Sequence, residues 1–217
     1  MAFPNSTEIP ASGGTFATNL KNGAEAQAMV AVDDSGHMVG TLPVYRLFVP
    51  VQAAGASKVY FDLFNATGSG KILEILSVIP VVSGKVAVVG ALAVDLYLTR
   101  TSAIGIGGTA ATADGSSLTA STISKMNPAD AALPAGVTAR LGPTGGATAG
   151  AVISAESLFT EETNAASYQS TMFDFVRRMQ GPAGQALIVP ENTGIRLVQD
   201  AVASVGNIGF DVIFAAI

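Results

Sequence analysis

Beyond residue 44, apolar and polar positions alternate with a period of two through most of the chain, and turn residues interrupt the alternation at short intervals. The segment Lys58-Val59-Tyr60-Phe61-Asp62-Leu63-Phe64 is aromatic and β-branched and predicts a strand. Asn65-Ala66-Thr67-Gly68-Ser69-Gly70 predicts a hairpin turn, and residues 71–82 a second strand bent at Pro80. Ser83-Gly84-Lys85 predicts a tight turn, which would make residues 71–82 and 86–99 adjacent antiparallel strands. Within 86–99, Val86, Val88, Leu92, Val94, Leu96 and Leu98 share one face. Ala87, Val89, Ala91, Ala93, Asp95, Tyr97 and Thr99 share the other. One side is therefore expected toward a core and the other toward water or a neighbour.

From 101 to 150 the large side chains thin out into Gly, Ala, Thr and Ser. Two readings stand side by side here: a solvated loop, and a contact loop ordered by a neighbouring subunit. Further strands are expected over 150–157, 171–177, 186–189, 195–199 and 208–214, with Phe210, Val212 and Phe214 on one face of the last. Residues 156–169 are the best place for a short helix. Residues 1–44 are polar and weakly periodic, helix-permissive over 19–29 with a short strand at 28–32. They read as an extended N-terminal arm that orders only by packing on something.

Many short strands, Gly/Pro turns and no long helical period predict an all-β fold. The expected form is an antiparallel β-sandwich, jelly-roll-like, over residues 45–217, with the arm over 1–44.

Composition adds one feature. Only 12% of residues are charged while 49% are hydrophobic, against a usual charged share of about 25%. A surface covered by Ser, Thr, Asn, Gly and Ala suits a protein packed against copies of itself or a partner. The net charge is -5, and Arg177-Arg178 is the only tight basic pair, so no nucleic-acid partner is expected. No run of about 20 apolar residues appears: Glu74, Pro80, Lys85 and Asp95 interrupt the region 71–100, so no membrane partner is expected either. Met1-Ala2-Phe3-Pro4 does not resemble the start of a signal peptide, and a protein not exported by the usual route is expected.

Candidate chemistry is sparse. With no Cys and a single His, His37 in an Asp33-Asp34-Ser35-Gly36 turn, neither thiolate chemistry nor a histidine metal cluster is expected. Thr67-Gly68-Ser69-Gly70-Lys71 invites comparison with a phosphate-binding loop. However, Asn65 stands where the motif needs Gly, Ile72 follows the Lys, and the flanks read as strands. Gly105, Gly107 and Gly108 do not complete a dinucleotide fingerprint. Asp33-Asp34 and Glu161-Glu162 lack the spaced oxygens of a Ca²⁺ loop, and as strand neighbours would point apart. A serine nucleophile would lack a positioned base. The expectation is a protein that is not an enzyme, with no catalytic, cofactor-binding or metal-binding residues and no cofactor.

Five phrases resemble structural proteins of tailed bacteriophage heads and tails. They are Leu63-Phe64-Asn65-Ala66-Thr67-Gly68-Ser69-Gly70-Lys71, Leu96-Tyr97-Leu98-Thr99-Arg100-Thr101-Ser102-Ala103, Pro143-Thr144-Gly145-Gly146-Ala147-Thr148-Ala149-Gly150, Glu161-Glu162-Thr163-Asn164, and Ser204-Val205-Gly206-Asn207-Ile208-Gly209-Phe210. The resemblance runs from about residue 57 to the end, leaves 1–44 uncovered, and brings no site motif that could be laid on particular residues. It implies a non-enzymatic virion component made in the host cytoplasm, foremost a capsid decoration or cement protein. Such a protein would be a homotrimer whose partners are the major capsid protein or other virion proteins. A tail, neck or fibre component is the alternative within that class. A carbohydrate-binding β-sandwich module is the alternative outside it, disfavoured by 6% aromatics and no Trp.

Overall fold

The structure is a computed structural model and describes residues 7–9, 14–21, 24–28, 42–82, 93–113, 122–128, 130–159, 172–175 and 186–217. The chain forms two compact units, Met1–Leu42 and Pro43–Ile217. In the first, β1 (Thr7–Ile9), β2 (Gly14–Lys21) and β3 (Ala24–Ala28) form a three-stranded antiparallel sheet in the order β1-β2-β3. The helix-permissive stretch 19–29 thus lies largely in strands, and the strand expected at 28–32 falls mostly outside the described residues.

Among its described residues the second unit is all-β in its sheets, of which there are two. Its longer strands are β4 (Val44–Ala53), β5 (Val59–Asn65), β6 (Leu73–Val82), β7 (Ala93–Thr101), β12 (Val152–Phe159), β15 (Thr193–Gln199) and β16 (Asn207–Ala216). Shorter ones are β8 (Thr109–Ala110), β9 (Thr112–Ala113), β10 (Thr122–Lys125), β11 (Val137–Leu141), β13 (Met172–Asp174) and β14 (Leu187–Val189). A seven-stranded sheet runs β13-β6-β16-β4-β10-β9, with β14 following β13 along the same strand β6. A six-stranded sheet runs β12-β7-β15-β5-β11-β8. All pairings are antiparallel except the short β9–β10 contact.

Chain order explains why, among the described residues, β6 pairs with neither β5 nor β7. β5, β6 and β7 belong alternately to the six-, seven- and six-stranded sheets. The 65–70 turn therefore carries the chain from one sheet to the other, and β6 does not pair with β7. Residues 83–92, where the second turn and the start of the expected strand fall, lie outside the described residues. The alternation holds over 93–98, where Val94, Leu96 and Leu98 are fully buried and Ala93, Asp95 and Tyr97 are not, but Thr99 on the second face is buried as well. The helix expected over 156–169 is corrected in its first part, where 156–159 belong to β12; its remainder lies outside the described residues.

Both sheets contribute to one hydrophobic cluster. Leu47, Val49, Ile75, Val78, Phe210, Val212 and Phe214 come from one sheet, and Phe61, Leu63, Leu96, Leu98, Ile195 and Leu197 from the other. Rings interlock inside it: Tyr60 meets Phe210 edge-on at 5.1 Å, and Phe61 lies 6.4 Å from Phe210. Tyr45 stacks on Phe214 at 5.5 Å. The apolar end of the chain is thus the centre of a sheet, β16 lying between β6 and β4.

Candidate functional site: two glycine-rich loops on a buried ion pair

Successive strand residues face opposite ways, so the neighbours of Phe61 and Leu63 on β5, and of Ile195 and Leu197 on β15, turn away from the shared core. Those neighbours are Asp62 and Arg196, register partners across β5 and β15. Both are buried, Asp62 at 0% and Arg196 at 4% exposure. Arg196 Nε donates to Asp62 Oδ1 at 2.6 Å and Nη2 to Oδ2 at 2.7 Å, a two-pronged, charge-assisted contact. The row continues on either side, with Arg140 of β11 opposite Asp62 and Thr99 of β7 opposite Arg196. Two guanidiniums thus flank one carboxylate.

A buried charge pair is tolerated when its remaining polar atoms are also satisfied. Two loops do this. Gly105 N–H donates to Asp62 Oδ2 at 2.7 Å, and Arg196 Nη1 donates to the carbonyl of Ala147. The loops are also clipped to each other. Ile106 N–H donates to Gly145 O at 2.8 Å, Thr144 N–H to Ile106 O at 3.0 Å, and Arg140 Nη1 to Gly107 O at 2.9 Å. Close approach requires glycine at 105: a Cβ there would meet Asp62 Oδ2 at 2.6 Å and Pro143 Cβ at 2.7 Å. Gly107, Gly108, Gly142 and Gly146 take positive φ, so these residues serve the loop backbone. At the tip, Ile106 is 64% exposed although its neighbour Gly105 is buried.

The region 101–150 is therefore less of a loop than its composition indicates. It contains β8 to β11, and its two glycine-rich turns are ordered by contacts within the chain. Beside the second turn is a cavity of about 570 Å³, walled by Ser57, Lys58, Thr144, Gly145 and Arg196 among others.

The 67–71 turn, set aside above as a phosphate loop, does present amide hydrogens to an anion, and the anion is the protein's own. Glu191 accepts from Gly70 N–H at 2.6 Å, Gly68 N–H at 3.3 Å and Ser69 Oγ at 3.3 Å. Backbone donation from Gly70, then Gly68, holds the Glu191 carboxyl below its ordinary value.

His37, Asp33-Asp34, Glu161-Glu162 and Arg177-Arg178 lie outside the described residues. Among the described residues, no group of three or more His, Cys, Asp or Glu could hold a metal. No described helix is long and apolar enough to cross a membrane. The Asp62–Arg196 pair is not evident in the local sequence pattern. Its one visible signal was a single charge inside each of two otherwise apolar strand segments, Tyr60-Phe61-Asp62-Leu63-Phe64 and Ile195-Arg196-Leu197-Val198. No protein-family model, no curated protein and no solved structure matches the chain.

Proposed function

We propose that this chain is a non-enzymatic structural protein of a phage particle, a capsid decoration or cement protein that works as a homotrimer on the head. The observation that carries the reading is the use made of the Asp62–Arg196 pair. Its polar atoms hold two loops rigid, and the rigid tip presents an apolar side chain, Ile106, outward. Pre-ordered loops lose little entropy on docking, as an assembly contact requires. The low charge of the chain supports the same reading.

The proposal includes a jelly-roll sandwich. Supporting it is the order of eight strands, β14-β6-β16-β4 in one sheet and β12-β7-β15-β5 in the other, with the shared hydrophobic cluster. Eight strands in two four-stranded sheets built by two Greek keys is the jelly-roll pattern. The arm expected over 1–44 is proposed to dock on a neighbour through residues 1–42, since Val44 opens β4.

Light scattering on purified protein should give a trimer. Labelled antibody should decorate heads of native particles, and the protein should stay on them in about 1 M salt, where the screening length is ~3 Å. A monomer that labels no part of the particle would remove the proposal; decoration of tails alone would move it to the tail, neck or fibre class.

A further inference from the structure

The cavity beside the second glycine-rich loop has a charge character at odds with the whole chain. The protein carries 16 acidic and 11 basic residues, yet the cavity lining includes Lys58 and Arg196 and no acidic side chain. Asp62, which neutralises Arg196, is at 0% exposure behind it. Arg140, on the far side of Asp62, leaves the polar row with one more positive than negative charge. Lys58 Nζ donates to the carbonyl of Ala53 at 2.7 Å and lies 5.8 Å from the centre of the Tyr60 ring, and no carboxylate pairs with it among the described residues. Partial burial pushes the Lys58 ammonium below its ordinary value, the direction expected of a cation without an anionic partner. Ser57 and Thr144, both hydroxyl-bearing, line the same cavity.

We infer that this cavity is an anion site that receives a carboxylate, supplied by an acidic side chain of a neighbouring protein chain. The site itself rests on the lining; only the source of the carboxylate rests on the assembly reading. At about 570 Å³ the space is ample for a carboxylate and its first few carbons. The Lys58 ammonium, with no carboxylate partner among the described residues, would favour such a group over a neutral amide of the same shape.

The test is an amide NMR titration of the full chain with sodium succinate, with succinamide as the neutral control at matched ionic strength. Saturable shifts are expected at Ser57, Lys58, Thr144 and Gly145 with succinate and none with succinamide. Lys58→Gln should weaken binding about tenfold or more, and Thr144→Val should weaken it independently, with an unchanged thermal midpoint in both. Non-saturating shifts, or equal shifts around Lys71 and Lys125, would overturn the site. Light scattering separates the source. If succinate and Lys58→Gln both loosen an oligomer, the carboxylate is the neighbour's. If succinate binds and an existing oligomer is untouched, the neighbour is ruled out as the source. A monomer that still binds succinate at these residues keeps the site and removes the assembly reading instead.

Discussion

Asp62 and Arg196 lie 134 residues apart in sequence and face each other across adjacent strands, each carboxylate oxygen accepting from a different guanidinium nitrogen. Removing one partner strands a buried charge, so Asp62→Ala is expected to cost about 3–5 kcal/mol. Replacing both by apolar residues of similar volume should cost less than Asp62→Ala alone, because Arg196 is no longer left buried without its carboxylate; Gly105 N–H and Ala147 O would still lose their partners, and Arg140 its neighbouring carboxylate. Urea unfolding of both variants tests this. A double variant less stable than the single one would show that the pair is not coupled as described.

Glycine at 105 and glycine at 55 should behave oppositely. Alanine at 105 would drive its Cβ into Asp62, Pro143 and Arg196, and about 1–3 kcal/mol of destabilisation is expected. At 55 the added Cβ would meet only Lys58 Cβ at 3.9 Å, an ordinary contact, and φ is not positive there. Gly55→Ala should be neutral or stabilising by up to about 1 kcal/mol. Thermal midpoints that moved the same way in both variants would contradict the packing.

Glu191 gives the acid limb of stability a defined sign. Its folded carboxyl titrates below the unfolded one, because Gly70 and Gly68 donate to the charged form. The contribution is therefore present above the unfolded value and is lost as pH falls through the folded value. Glu191→Gln should be less stable than wild type at neutral pH, with the gap closing between about pH 5 and pH 2. Midpoints recorded across that range decide the matter: a gap that widened on acidification would reverse the assignment.

Ile106 separates folding from assembly. At 64% exposure its side chain supports little of the core, so Ile106→Ser should leave the thermal midpoint nearly unchanged. On the proposed function, the same variant should bind particles more weakly. Retention on purified heads equal to wild type would take the loop tip out of the docking surface.

What the sequence made legible follows from how local each signal is. The strand at 58–64 and the terminal strand carry their pattern in consecutive residues, and β5 and β16 lie where that pattern puts them. Turns at 65–70 were legible as breaks but not by destination, since Gly and Asn fix the bend and not the sheet that the next strand joins. β8 to β11 were hidden because Thr, Ala and Val in short runs look like loop material until a partner strand pairs with them. The ion pair and the Glu191 clasp were invisible for a different reason. Each joins groups more than 120 residues apart, and no local rule links Asp62 to Arg196 or Gly70 to Glu191.

The position of β16 also sets a timetable. Synthesised after every other described strand, it fills the slot between β4 and β6. At about 5–20 residues per second, on the order of ten seconds or more separates the emergence of β4 from that of β16. From the emergence of β6 until that of β16, the nascent chain holds two strands whose inner edges lack their partner, a state that invites pairing with another chain. Ribosome-stalled chains ending before residue 207 should therefore be cut readily by protease within β4 and β6, and chains extended past 216 should resist.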